Sequence, residues 1–392
     1  MTTLSNADAV LKDFYLDVIA NQLNTNVSPL WNAIKTSTEN VEGKKLCKVV
    51  PFGLNGGVGA GTEEGTLPLA AENKYLSFEL PLVNLYGVLE ISDKAVKASA
   101  QSSGAFLDLV NAEMEGLLNA GKFSLSRMLF GDGSGVLAVK TAGTNGSFTM
   151  DVDSTRNLVE GMTLEFWAGT AKDATTSGAR IAKVDHAAKR ITLTKALSAS
   201  IGLSNDVRLY VQGSKDKELC GLGAIVDSTI TSLYGIDRTN NAGLNAYVQT
   251  KQSSEVFDDV YLMRALDEAA ERSGGDINYI TCAYDVRRAY QKYLKTNSRN
   301  IDVATLAGGY KTITFNGIPI AADRFMKNGE MFMLNTNDFT LCQLGDWDWM
   351  TGEAGKILKQ KQGFPMYTAT LVKYANLICD RPNGVALLKN LC

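Results

Sequence analysis

Residues 74–92, KYLSFELPLVNLYGVLEIS, decide the architecture of this chain. Leu76, Phe78, Leu80 and Leu82 alternate with Ser77 and Glu79, the period of two expected of a strand with one apolar face. Pro81 lies inside the run and brings no N–H to a ladder, which places it at a sheet edge or bulge. Upstream, KLCKVVPF (45–52) reads as the partner strand. The glycine-rich excursion GLNGGVGAGTEEGTLPLAAE (53–72) joins the two. The whole is a long hairpin with a loose tip, and KYLSFELPLVNLYGVLEIS is read as its single, longer return strand. A two-stranded ribbon of this length is marginally stable alone, so it is expected to lie on a neighbouring subunit.

Before the hairpin, residues 5–24 place Val10, Leu11, Phe14, Val18 and Ile19 on one helical face. Ser28 and Pro29 then supply an N-cap and a first-turn proline for a short helix carrying Leu30, Trp31 and Ile34. After the hairpin, Ser92 and Asp93 open a helical region. From Gly104 to Phe130 the residues Phe106, Leu109, Val110, Leu117, Leu118, Leu125 and Met128 recur at three and four, predicting a rod roughly 40 Å long. The loop GDGSG (131–135) stops it.

Residues 136–217 differ in character. GSFTMDV, MTLEFWA, ARIAKVD, KRITLTKA and DVRLYVQG are short β-type runs between polar turns, the pattern of a small barrel or sandwich. After Glu218 the chain reads as α/β: helix VFDDVYLMRALDEAAER, buried strand INYITCA, helix YDVRRAYQKYLK, and a hairpin turning on Asn316 and Gly317. GEMFMLNTNDFTLCQLGDWDWM supplies further strands. The last long strand runs from Met366 to Asp380 and ends at the turn Pro382, Asn383, Gly384.

Composition excludes several functions. The chain has 392 residues, 39 Lys and Arg against 42 Asp and Glu, a formal charge of −3 and one histidine. Histidine-based triads and multi-histidine metal centres are therefore ruled out. With 36 glycines against 7 prolines, the chain needs flexible turns more than rigid ones. No apolar run is long enough to cross a membrane and no signal peptide opens the sequence, which predicts a protein kept in a cytosol. Cys47, Cys220, Cys282, Cys342, Cys379 and Cys392 form no CxxC pair and are read as buried thiols. The near-neutral charge argues against a dedicated nucleic-acid binder.

His186 reads as an exposed turn histidine, since no second imidazole exists to share a metal. Gly53, Gly56, Gly57, Gly59 and Gly61 satisfy no phosphate-loop pattern and read as a hairpin tip. Asp346 and Asp348 fall on one strand face and Trp347 and Trp349 on the other, giving an acidic edge over a tryptophan-lined inner face. Arg287, Arg288, Lys292, Lys295 and Arg299 form the densest basic cluster, read as a solvated face or a partner for acidic neighbours in preference to a nucleic-acid contact. Tyr284, Tyr290 and Tyr293 are packing residues. No catalytic, cofactor-binding or metal-binding residue is assigned, and no cofactor.

The order of these parts resembles the major capsid protein family of tailed bacteriophages, with the Hong Kong 97-like fold. LPLAAENKYLSFELPLVNLYGVLEISDKAV is similar to the return strand of that family's extended loop running into its spine helix. RMLFGDGSG (127–135) resembles the end of that helix, FNGIPIAADRFMKNGEMFMLN the A-domain hairpin, and YTATLVKYANLICDRPNGVALL the long P-domain strand and last return. The segment that follows the spine helix in the family resembles Gly221–Val226 here, so 136–217 is similar to an insertion. The resemblance covers 46–135 and 218–392.

It implies an α+β chain with an N-terminal arm (1–45), an extended-loop hairpin (46–91), a spine helix (92–135) and an all-β inserted domain (136–217). An A domain (218–335), P-domain strands (336–382) and a C-terminal return (383–392) complete it. It implies a non-enzymatic protein that self-assembles into hexamers and pentamers of an icosahedral head. That head is assembled in a bacterial cytoplasm and located in the virion. Implied partners are scaffolding, portal and decoration proteins and packaged double-stranded DNA held weakly and non-specifically, with no membrane. An encapsulin-like compartment, or an α/β enzyme using Asp285, Arg287 or the Asp346 pair, are the alternatives.

Two departures matter. Some members of the family crosslink an extended-loop lysine to an asparagine just before the long strand, assisted by a glutamate. KQGFPMYTATLVKY (361–374) holds neither, so Lys44, Lys45, Lys48 and Lys74 lack those partners and no crosslinking is expected. Some members begin with a cleaved scaffolding segment; the short stretch before this hairpin implies a processed chain or a separate scaffolding protein, and the initiator methionine favours the second.

Overall fold

The computed structural model describes residues 28–39, 41–94, 103–204, 206–296, 303–305, 311–351 and 359–392. The helix expected over 5–24 and Arg299 lie outside them. Helix α1 (Pro29–Ala33) starts as its sequence requires, with Ser28 Oγ accepting from the Trp31 N–H at 3.2 Å and proline at the first position. Leu30 and Trp31 are buried. Strands β1 (Lys35–Ser37) and β2 (Val41–Glu42) lead into β3 (Lys45–Pro51). β3 pairs antiparallel with β4 (Tyr75–Pro81), from Lys45 opposite Pro81 to Pro51 opposite Tyr75.

The return run is not one strand. It breaks at Leu82 into β4 and β5 (Val83–Ser92), which belong to different sheets. The buried positions change phase there, from Phe78 and Leu80 to Leu85, Leu89 and Ile91. Pro81 sits at the switch, and its carbonyl accepts from the Asn376 side chain at 2.9 Å. A residue without an N–H is suited to the point where one ladder ends and another begins.

Helix α2 (Ser103–Leu129) is the predicted rod, displaced by one residue at each end. The side chains of Phe106, Leu109 and Val110 lie outside the described set, while Leu118, Leu125, Met128 and Leu129 are buried. The chain then forms β6 (Val136–Ala142), β7 (Thr149–Val152), β8 (Thr163–Ala168), β9 (Ala171–Lys172), β10 (Ala179–Asp185) and β11 (Arg190–Leu193). The short helix α3 (Ala199–Leu203) and strand β12 (Val207–Val211) complete the unit. Six strands close in the order β6, β7, β11, β10, β8, β12, every pairing antiparallel, with β9 as a flap on β8. Of barrel and sandwich, the structure is the barrel, which leaves no long edge unpaired. Its core is separate from the main one and includes Leu137, Met150, Leu164, Phe166, Ile181, Ile191 and Leu209. The buried Lys140 ammonium donates to the carbonyls of Ile201, Gly202 and Ser204 at 2.7–2.9 Å, closing the C-terminal end of α3.

The barrel is joined to the rest by a narrow neck. Asp216 N–H donates to Ser134 O at 2.8 Å, Glu218 N–H to Gly133 O at 3.4 Å and Gly223 N–H to Gly131 O at 3.0 Å. A Cβ at Gly221 would stand 2.4 Å from Met128 O and 2.5 Å from Leu129 O, so only glycine lets the returning chain lie against the end of α2. Beside it, the Arg127 guanidinium donates to both Glu218 carboxylate oxygens, at 2.6 and 2.5 Å, with both side chains buried.

From the neck run α4 (Leu222–Val226), the small ribbon β13 (Ser232–Leu233) and β14 (Ile236–Asp237), and β15 (Tyr247–Thr250). The buried Arg238 guanidinium donates to the carbonyls of Ala224, Ile225 and Asp227, capping α4. Helix α5 (Asp259–Ser273) is capped by Asp258 and ended by Gly274 at φ +63°. Strand β16 (Tyr279–Cys282), helix α6 (Tyr284–Thr296), and strands β17 (Val303–Thr305), β18 (Lys311–Phe315), β19 (Ile318–Ala322) and β20 (Met331–Leu334) follow. Asn316 and Gly317 turn the β18–β19 hairpin with φ of +50° and +77°, the positive angles that two-residue turn needs.

The remaining strands are β21 (Phe339–Gln343), β22 (Asp348–Trp349), β23 (Lys359–Gln360), β24 (Met366–Cys379) and β25 (Ala386–Lys389). One sheet has the order β15, β25, β20, β16, β19, β18, β17, with β25 parallel to β15, so the end of the chain closes the sheet that β15 begins. The other is organised by β24, which pairs with β21, β22, β23 and, over ten residues, β5. Helix α2 rests on β5, where a Cβ at Gly87 would meet Leu117 Cδ1 at 2.8 Å.

Two stability predictions follow from these contacts. Arg127→Ala leaves Glu218 buried without its partner and is expected to lower unfolding free energy by about 3–5 kcal/mol, while Arg127→Met with Glu218→Leu recovers most of it. Urea midpoints check this, and a single-variant loss below about 1 kcal/mol would contradict it. Asp323, buried after β19 and accepting from Phe325 N–H at 2.9 Å, has its carboxyl pushed up to about 6 by burial. A raised acid binds its proton more tightly in the folded state. Its contribution to stability is therefore greatest below the ordinary value of 3.8 and is lost as pH rises through about 6. Asp323→Asn should flatten the stability profile between those two values; an unchanged slope would refute the assignment.

Candidate functional site

Among the described residues no cluster of three or more His, Cys, Asp or Glu side chains is placed to hold a metal ion. His186 is exposed on the barrel, its Nδ1 3.0 Å from Thr155 Oγ1. Asp346 and Asp348 are exposed and Trp347 and Trp349 buried, as the alternation requires. The sequence did not foresee what Asp346 does: it lies 3.1 Å from the ammonium of Lys373, whose side chain is wholly buried in β24 and stands 5.6 Å over the Trp347 ring. Burial holds the Lys373 pKa below the ordinary lysine value, and Asp346 pulls the other way. The carboxylate is thus a counter-ion for a buried strand lysine.

Asp285, the other carboxylate considered for chemistry, accepts from Gly329 N–H at 2.9 Å. Arg287 stacks its guanidinium 5.5 Å over the Tyr284 ring. Arg288, Lys292 and Lys295 lie on the outward face of α6, and Tyr290 is buried beneath it. The cysteines correct the expectation in part. All six are free; Cys282, Cys342 and Cys379 are buried, Cys47 and Cys220 half-buried, and Cys392 is exposed at the end of the chain. Burial pushes the Cys220 and Cys282 thiols up to about 12 and Cys342 to about 11, which keeps them protonated and unreactive.

A cleft of about 1580 Å³ opens between the barrel, the neck and the sheet containing β16. Arg156, Arg208, Arg324 and Lys327 line it together with Asp153, Asp206 and Glu330. Arg156 donates across it to Met326 O at 3.1 Å, so one of these cations latches the barrel to the loop after β19. The charges are of both signs, and the one imidazole in the lining, His186, meets the Thr155 hydroxyl with no third group among the described residues orienting it, so the cleft reads as the gap between two packed units.

What the fold presents instead is surface. Leu54, Val58, Leu67 and Leu69 at the hairpin tip are 88–98% exposed. The base of the same hairpin is fixed. Glu79 N–H donates to Tyr234 O at 2.9 Å, the Phe78 and Tyr234 rings are 5.3 Å apart, and Lys48 meets Asp380 at 2.7 Å. Tyr234 OH in turn accepts from Cys379 N–H at 3.1 Å, tying hairpin to long strand. The tip thus carries four bare apolar side chains on a ribbon anchored at its other end. The glycines of this segment were visible in the sequence as a tip; that the apolar residues among them stay uncovered is seen only in the fold.

No protein-family model matches the sequence, and no curated protein matches it. Among solved structures, the chain is similar to a subunit of the capsid of cyanophage A-1(L), with 11% identity, 95% of this chain and 92% of that chain covered, and a TM-score of 0.53. It is also similar to the SrpI encapsulin of Synechococcus elongatus, at 12% identity, coverage of 96% and 95%, and a TM-score of 0.45. The capsid of Myoviridae phage XM1 gives 9% identity, coverage of 92% and 90%, and again 0.45. The first of these carries the fold assignment. Taken with the order of segments along the sequence, it shows that the chain has the fold of a phage capsid subunit, the Hong Kong 97-like fold.

Proposed function

We propose that this chain is the major capsid protein of a tailed bacteriophage, assembling as hexamers and pentamers into an icosahedral head that encloses double-stranded DNA. The observation that carries the reading is the hairpin of β3 and β4, anchored at its base and bare at its apolar tip. A monomeric protein gains nothing from such an arm; a shell subunit uses it to overlap its neighbour, where each apolar side chain buried contributes about 1.5–3 kcal/mol.

In this reading residues 1–45 are the N-terminal arm, 46–91 the extended loop, 92–135 the spine helix, and 136–217 the inserted domain. Residues 218–335 are the A domain, 336–382 the P-domain strands and 383–392 the C-terminal return. The A domain sits near capsomer centres. The neck supports the insertion, because the chain that leaves at Gly135 returns hydrogen-bonded to the same loop at Asp216 and Glu218. The barrel's role is to add contacts that stabilise the shell. A formal charge of −3 suits a wall that holds packaged DNA weakly. Scaffolding, portal and decoration proteins are the expected partners, the virion the expected location, and the bacterial cytoplasm the site of assembly. Catalysis has no part in the role. Lys45 and Lys48 are engaged by Glu79 and Asp380 within the chain, consistent with a shell held without covalent crosslinks.

The test is assembly of the purified chain, followed by sedimentation and a denaturing gel. Wild type should sediment as shells and run as a monomer band with no ladder. Changing Leu54, Val58, Leu67 and Leu69 together to serine should abolish the fast-sedimenting species while leaving the unfolding midpoint unchanged. Slow sedimentation of wild type under every assembly condition, or normal shells from the serine variant, would contradict the reading.

A further inference from the structure

The outward faces of α5 and α6 are complementary, and we infer that α5 of one copy docks against α6 of a neighbouring copy. This rests on the capsid reading and names a contact within it. Helix α5 buries Leu262, Ala265, Leu266 and Ala269 against its sheet. On the opposite side it presents Val260, which is 74% exposed, then Met263, and a turn later Asp267 and Glu271. Arg264 is the one cation on that stripe, since Arg272 is turned to Glu268 on its own helix at 3.2 Å. Neither Asp267 nor Glu271 makes an ion pair among the described residues.

Helix α6 carries the counterpart. Tyr284 is half-exposed at its start, and Arg288, Lys292 and Lys295 follow at spacings of four and three on one face, with no ion pair among the described residues. Val260 to Glu271 and Tyr284 to Lys295 span the same number of residues, about 16 Å along each helix. Laid side by side in the same direction, the two stripes match at both ends. Val260 and Met263 meet Tyr284, an aromatic anchor of the kind that dominates interfaces, and Asp267 and Glu271 meet Arg288, Lys292 and Lys295. Within one chain the two helices meet on their buried sides instead, where Tyr290 OH donates to Asp259 at 3.1 Å and the Tyr290 and Phe257 rings are 6.1 Å apart. Tyr284 also lines the cleft beside the barrel, whereas Asp267 and Glu271 on α5 and Arg288, Lys292 and Lys295 on α6 are exposed opposite the buried faces of their helices and are open to another copy.

Charge exchange in the full chain tests the contact. Asp267→Lys with Glu271→Lys, and separately Arg288→Glu with Lys292→Glu, should each reduce shell yield about tenfold or more, as repulsion of about 1.4 kcal/mol per contact requires. All four changes together should restore it, and unfolding midpoints should stay at the wild-type value throughout. Wild-type yield from either pair, or no recovery in the fourfold variant while wild type forms shells, would overturn the docking and leave the capsid reading standing. If the α6 pair assembled normally but lost DNA retention on a mobility-shift gel, the basic stripe would be a nucleic-acid contact and the docking wrong. Absence of shells from wild type would overturn both.

Discussion

The antiparallel ladder between Val83–Ser92 and Met366–Cys379 is the constraint on which the rest of the structure depends. It joins segments from opposite ends of the sequence, and each of its strands carries something else. Val83–Ser92 emerges from the hairpin and supports the long helix through the close approach of Leu117 to Gly87. Met366–Cys379 gathers three further strands and holds a fully buried lysine against Asp346. Its partners are far apart in sequence, so loop entropy must be overcome before the pairing rewards it. Once formed, it gives a stiff plate to which an extended arm and a second sheet are attached.

The neck shows how two units with separate cores are joined without disturbing this plate. A closed barrel brings its own core and has no long edge in need of partners, so its junction needs only two chain crossings that lie close together. Gly221 permits that approach, and the buried Arg127–Glu218 pair fixes it. A buried ion pair of this kind is a weak source of net stability compared with apolar packing, but it is intolerant of losing one member. That suits a junction whose register must be unique.

Local pattern made much of this legible. The cap at Ser28, the rod from Ser103 to Leu129, the Asn316–Gly317 turn and the long strand from Met366 all follow from period, capping and turn chemistry acting over a few residues. The break at Leu82 was less visible, since an apolar run on both sides of Pro81 reads as continuous unless its change of phase is followed. The entry of Ala386–Lys389 into the sheet begun by Tyr247–Thr250 depends on pairing across most of the second half of the chain, which no local pattern encodes. For the candidate surface the position of the tip was clear from its glycines. Its meaning depended on finding Leu54, Val58, Leu67 and Leu69 uncovered, and exposure is a property of the folded chain. The partnership of Asp346 with Lys373 was hidden for the same reason.

In the proposed reading, arm, plate, barrel and charge-complementary helices belong to a subunit whose chemistry is contact with its own kind. Electron microscopy of the purified full-length chain tests that claim most directly. The account predicts closed shells in which the tip of the 45–81 hairpin lies on an adjacent copy. Separate monomers at every concentration and ionic strength, with the tip open to solvent, would contradict it.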